Sequence, residues 1–250
     1  MIVIENIKKT FNEKEILKGI DGEFYAGKTN LIIGSSGTGK SVLLKCIVGL
    51  IRPDEGRVLF NGRDFTNGDF DLKTEIRREI GMLFQGAALF DSKNVEENIM
   101  FPLDVLTKMK KDEKLDRMNF CLKRVGLENS NKKMPSELSG GMKKRVGIAR
   151  AIVLNSKYLF CDEPNSGLDP QTSILIDNLI KEITEEYTIT TIVVTHDMNS
   201  VMEIGDHIMF LYQGKKLWEG SSDEILDADV KELYDFVFAN KLVQKIKKLK

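Results

Sequence analysis

Cysteine is scarce in this chain: Cys46, Cys121 and Cys161 are the only three, and they lie far apart. No two form a CxxC pair and none has a histidine at a metal-ligand spacing, which argues against a zinc ribbon or a disulfide framework. Cys46 and Cys161 sit in apolar runs and read as small buried hydrophobes, a usage that fits a reducing, cytoplasmic compartment. No run approaches the roughly 18 apolar residues of a membrane helix, so action at a membrane would need another chain to cross it. The opening MIVIENIKKTF lacks the charged-then-apolar order of a signal peptide. Charge of either sign is not in excess: the formal net charge is -1, which leaves no electrostatic case for a nucleic-acid partner. Internal repeats and low-complexity segments are absent too.

What is present is ordinary globular material. With 250 residues, 42% of them hydrophobic and 30% charged, the chain can bury a substantial core. Short β-rich runs alternate with helical ones, which predicts an α/β fold with a largely parallel central sheet. Residues 2–9 alternate as a half-exposed strand would. Residues 30–34, 158–161 and 190–194 read as buried strands that end at glycine or polar residues. Residues 95–154 carry a helical pattern with long charged faces and predict a helical insertion. Two short helical patterns follow Gly220, the last with Leu242, Val243, Ile246 and Leu249 on one side and lysines on the other.

The strongest local signal is Gly34-Ser35-Ser36-Gly37-Thr38-Gly39-Lys40-Ser41, a GxxxxGK[ST] phosphate loop. Its context is right, because a buried strand precedes it and Leu43, Leu44, Ile47 and Val48 give the next segment a helical apolar face. Glycines let the backbone turn and aim N–H groups at phosphate oxygens, and the helix N-terminus adds partial positive charge. Lys40 is expected to reach the β- and γ-phosphates, and Ser41 to ligate Mg²⁺.

Two further strands end in chemistry-bearing residues. Tyr158-Leu-Phe-Cys-Asp162-Glu163 is an apolar strand ending in two acids. Asp162 is expected to orient the Mg²⁺ shell, and Glu163 to act as general base toward the attacking water. Val193-Val-Thr-His196 ends in a histidine able to hydrogen-bond a γ-phosphate. Gln85, after Ile80-Gly-Met-Leu-Phe84, could touch the metal or the water.

Leu138-Ser139-Gly140-Gly141-Met142 opens a helix with Met142, Val146, Ala149 and Val153 on one side. Ser139 with two glycines makes a second anion-binding nest. One chain has little use for two phosphate cradles on different subdomains. Two chains arranged head-to-tail can each close this nest on the ATP held by the other.

Taken in order, these segments resemble the ABC transporter ATPases over nearly the whole chain. The resemblance implies a P-loop NTPase (RecA-like) core with an antiparallel β subdomain and a helical signature subdomain. It makes residues 1–84 and 158–226 the core, 85–157 the helical subdomain and 227–250 a C-terminal helical extension. It further implies Phe11 as the adenine-stacking aromatic, Gln85 as the Q-loop, Leu138 to Met142 as the signature, Ser166 to Asp169 as the D-loop and His196 as the switch histidine. Val42 stands where the family usually offers a Ser/Thr hydroxyl to the α-phosphate, and Met142 stands where it usually has glutamine. Both departures, with Met82-Leu-Phe-Gln-Gly-Ala-Ala-Leu-Phe90 and Lys143-Lys-Arg145, are similar to the Mla-type lipid-transport ATPases.

The expectations that follow are an ATP- and Mg²⁺-dependent hydrolase that pairs with a second copy of itself. It would drive a transmembrane permease from the cytoplasmic face of the inner membrane, with an MCE-domain lipid-binding partner in the same system. Import of an amino acid or other small solute, a soluble ABC ATPase outside transport, and nucleotide binding without hydrolysis stay open as alternatives. The lysine-rich end from Ala239 reads as a solvated amphipathic helix, a contact across the pair, or a lipid-adsorbing helix.

Overall fold

The computed structural model describes residues 1–238. The lysine-rich segment expected as a helix from Ala239 lies outside the described residues. By contacts the chain divides into two compact units: residues 1–25, 29–67 and 194 onward, and residues 26–28 with 68–193.

The first unit holds an antiparallel sheet. Strand β1 (Ile2–Phe11) pairs with β2 (Lys14–Phe24) on one side and β4 (Glu55–Phe60) on the other, and β4 pairs with the short β5 (Arg63–Asp64). The register puts Ile2 opposite both Phe24 and Phe60, and all three are fully buried. Period-2 alternation therefore delivers one apolar face to the core. The same unit contains β3 (Thr29–Ile33), buried along its whole length and parallel to β9 (His207–Tyr212), which pairs antiparallel with β10 (Lys215–Gly220). Helix α1 (Lys40–Ile47) follows β3 through the phosphate loop, and α7 (Met198–Ile204) precedes β9. Helix α8 (Lys231–Val237) sets Phe236 against Phe210, with ring centroids 5.5 Å apart. The first of the two helical patterns expected after Gly220 becomes turns followed by this helix.

In the second unit α2 (Phe70–Arg78) leads into β6 (Ile80–Leu83), which pairs parallel with β7 (Tyr158–Asp162). Strand β8 (Thr190–Thr195), buried throughout and mostly in this unit, lies beside β7. Between β6 and β7 come α3 (Val95–Leu106), α4 (Lys111–Arg124) and α5 (Gly140–Ile152), the helical insertion expected from periodicity. Helix α6 (Pro170–Glu186) follows β7. The contact-based division differs in kind from the expected boundaries at 85 and 157, which follow element type.

Local sequence explains the helix starts. Asn94 caps α3 and exchanges hydrogen bonds with Glu97, a capping box. Gly81 explains how α5 packs on β6: a Cβ there would sit 2.2 Å from the Ala151 carbonyl oxygen.

Candidate functional site

The phosphate loop is held by its own main chain. Lys40 is buried, and its Nζ donates to the carbonyl oxygens of Gly34 at 2.7 Å and Ser35 at 3.0 Å. Thr38 Oγ1 donates to the Ser35 oxygen at 2.9 Å. The ammonium is thereby folded back over the loop whose N–H groups open α1, a concave cationic surface suited to phosphate oxygens. Gly34, at φ 145, is required by packing as well as by the turn, since a Cβ would lie 2.3 Å from the Leu211 carbonyl oxygen on β9. Ser35, Ser36 and Gly37 are exposed; Ser41 and Val42 are half-buried.

Phe11, at the end of β1, is 42% exposed, with Lys9 Nζ 5.3 Å from its ring centroid. An aromatic left in solvent at a strand end is available to stack on a base, and the lysine beside it adds a cation–π contact. His196 follows β8 on the surface.

The second unit gathers the remaining residues. Leu83 pairs with Cys161 in the β6–β7 register, so Gln85 and Glu163 leave the sheet at the same C-terminal edge. Asp162 is buried at the end of β7, and Glu163 is half-buried with φ 49. A left-handed backbone at a non-glycine residue costs about 1–2 kcal/mol. Pro164 follows and disfavours the right-handed helical alternative at 163. Gln85 Nε2 donates to Ser166 Oγ at 3.1 Å, so Oε1, the atom a cation would use, is not the one in this bond.

Ser139 caps α5, its hydroxyl accepting from the Met142 N–H at 3.3 Å. Asp169 caps α6 and spends both carboxylate oxygens on Thr172, one on the backbone N–H at 3.0 Å and one on the hydroxyl at 2.6 Å. The Thr172 bonds hold its carboxyl below the usual value. The residue expected as a nucleotide contact thus has a structural task in its own loop.

Lys144, Arg150 and Asn98 tie this unit together through contacts that the sequence does not reveal. Lys144 on α5 is buried and donates to the backbone oxygens of both Gln85 and Glu163. Burial pushes its ammonium below the ordinary lysine value, while Cys161, Glu163 and Asp162 act the other way. Arg150, also on α5, donates to the Ala87 and Ala88 oxygens. Asn98 on α3, fully buried, donates to the Phe90, Lys93 and Asn94 oxygens and accepts from the Phe90 N–H. Each grips main chain, and a charged or amide residue inside a helical pattern carries no signal for that.

Among the described residues no group of three or more His, Cys, Asp or Glu could hold a metal alone. Ser41 offers a hydroxyl, Asp162 a carboxylate and Gln85 an amide oxygen. These are hard donors of the kind that bind Mg²⁺ together with phosphate and water, so the chemistry fits. No helix among the described residues is long and apolar enough to cross a membrane.

An apolar groove of about 370 Å³ lies within the second unit, lined by Met82, Phe84, Ala88, Phe90, Phe101, Val105 and Leu106 among others. Phe90 and Phe101 meet with ring centroids 4.8 Å apart. Val105 is 63% exposed.

Comparison with known proteins is consistent with this geometry. A family profile described as ABC transporter matches residues 17–166. The "Probable ribonucleotide transport ATP-binding protein mkl" of Mycobacterium leprae is 38% identical over 228 residues, 91% of this chain and 66% of that protein. "Methionine import ATP-binding protein MetN" of Clostridium tetani is 42% identical over 220 residues, 87% of this chain and 68% of that protein. The chain thus spans about two thirds of the length of these relatives. Among solved structures, the dimeric post-hydrolysis state of the ATP-binding cassette MJ0796 bound to ADP and Pi superposes with a TM-score of 0.81 at 34% identity. It covers 89% of this chain and 99% of that one. The expected P-loop NTPase fold class is thereby established.

Proposed function

The chain belongs to the ABC transporter family, and on that premise we propose that it is the ATP-hydrolysing subunit of a transporter, active as a pair of copies. The observation that carries this reading is the Lys40 ammonium folded onto the Gly34 and Ser35 carbonyls at the mouth of α1. The solved cassette that superposes on this chain is dimeric and holds ADP and phosphate, which supports both hydrolysis and pairing.

In this reading the loop from Gly34 to Ser41 binds the triphosphate, with Lys40 on the β- and γ-phosphates, and Phe11 stacks on the adenine. Ser41, Asp162 and Gln85 are the groups that would hold Mg²⁺. Held there, the cation would offset negative charge on the triphosphate. Glu163 accepts the proton of the attacking water, and His196 donates to the γ-phosphate. Ser139, Gly140 and Gly141 close on the nucleotide of the second copy.

The permease docks in the apolar groove that Phe84 and Ala88 help to line, since Phe90, Phe101 and Val105 leave apolar surface exposed there. The work is done at the cytoplasmic face of a membrane that the permease crosses. For cargo we favour a lipid, with an MCE-domain partner, because Val42 and Met142 depart from the general pattern as the Mla-type sequences do. A second reading, import of an amino acid, is favoured by the 42% identity to a methionine importer subunit.

The test is Mg²⁺-dependent phosphate release from ATP. The purified chain should release phosphate, and Lys40→Ala should lose both nucleotide binding and release. A chain that binds ATP without turnover would leave only a binding module.

A further inference from the structure

Lys144 is the fifth residue of α5, one turn beyond the Ser139 cap. It is 4% exposed, and its Nζ donates to two backbone oxygens that are far apart in sequence, Gln85 O and Glu163 O, the latter at 3.2 Å. Burying an ammonium is costly, and an apolar side chain in this position would avoid that cost. The two carbonyls it holds belong to Gln85 and Glu163, which leave β6 and β7 at the same C-terminal edge and which the proposed function assigns to the metal and the attacking water. One of them, Glu163, has a left-handed backbone at φ 49. Rotation about the Glu163 N–Cα bond toward a relaxed φ would swing the carboxylate side chain and turn the carbonyl away from Lys144 together. A tetrahedral ammonium carries three donors, so one group can hold both strand ends at a fixed separation.

We propose that Lys144 is a positioning residue for hydrolysis: by gripping the main chain of Glu163 and Gln85 it sets the geometry of the base and so the turnover number, without binding nucleotide itself. The proposal rests on the reading of Glu163 as the base. Because Lys144 rides on the helix that opens at Ser139, it also links the nest offered to a second copy with the carboxylate that acts in its own.

The experiment compares the full chain with Lys144→Met, Lys144→Arg and Glu163→Gln under Mg²⁺ and ATP, with melting midpoint and ATP affinity recorded for each. Wild type is measured against Glu163→Gln first: no release from wild type would overturn the ATPase reading, while release undiminished in Glu163→Gln would remove Glu163 as the base and overturn this proposal. Given wild-type turnover, Lys144→Met should lower kcat about tenfold or more with KM within about twofold, the pattern of a displaced catalytic group. Lys144→Arg, which keeps a buried donor, should recover most of the loss. Wild-type kcat in Lys144→Met, or a rise in KM matching the loss of activity, would overturn the proposal. So would equal losses in the Met and Arg variants. Should Lys144→Met give no cooperative melt, Lys144→Gln, which can reach one carbonyl, should lower kcat at unchanged KM; wild-type kcat there would overturn it.

Discussion

Arg150 donates one guanidinium nitrogen to the Ala87 oxygen at 2.6 Å and another to the Ala88 oxygen at 2.8 Å. Ala87 and Ala88 are consecutive non-glycine residues with φ 60 and 46, so the segment after Gln85 is a strained turn held from α5. The planar fork of arginine can span two adjacent carbonyls, which a lysine point charge does less well. Arg150→Met should therefore cost about 1.5–3 kcal/mol of unfolding free energy, the range for hydrogen bonds involving a charged group. Arg150→Lys should recover less than half of it. Urea titration of the three proteins checks this, and equal stability of all three would show that the turn needs no clamp.

Val42 offers no hydroxyl at the start of α1. Installing one by Val42→Ser should tighten ATP binding about three- to tenfold, the worth of roughly 1 kcal/mol for one added hydrogen bond. Val42 is half-buried, so the loss of packing is small. Titration calorimetry in the Glu163→Gln background removes turnover from the measurement; unchanged affinity would place the α-phosphate elsewhere.

The three thiols are buried, and burial pushes Cys46 and Cys121 up to about 11 and Cys161 higher still. Burial favours the neutral thiol, so the folded state keeps protons that the unfolded chain releases near pH 9. The resulting stability is fully present below the unfolded value and is lost as pH rises through about 11. Unfolding free energy should fall between pH 9 and 11, and Cys46→Ala combined with Cys121→Ala should flatten that slope. At pH 8 the native thiols should resist a thiol reagent and react on addition of denaturant.

Val105 is 63% exposed on the groove wall. Val105→Asp should leave the melting midpoint within a degree or so, since a surface change is worth at most about 0.5 kcal/mol. It should nevertheless reduce recovery of membrane-bound complex when the chain is expressed with its permease. Undiminished recovery would move the docking surface off this groove.

Much of this was legible in the sequence where a residue's own neighbours determine its role. The apolar runs at β3, β7 and β8 could only be buried strands, and the glycines and Lys40 after β3 specify a loop and a helix start within eight residues. The helical insertion followed from periodicity. Lys144, Arg150 and Asn98 were not legible because their partners are carbonyl oxygens brought in by the fold, and a carbonyl leaves no mark in a sequence. The sequence marks Lys144 only as part of Lys143-Lys-Arg145, a run shared with the Mla-type ATPases, and says nothing of the two carbonyls it holds. Asp169 shows the converse: resemblance gave it a nucleotide role, while the structure shows what its carboxylate does locally, capping α6.

The mass of Glu163→Gln in solution, by sedimentation with and without Mg²⁺ and ATP, tests the pairing of two copies most directly. With the base removed, bound ATP should persist between the Ser139–Gly141 nest of one copy and the phosphate loop of the other, and the protein should run as two copies only when ATP is present. A single copy at saturating ATP would contradict the claim that this chain works as a pair.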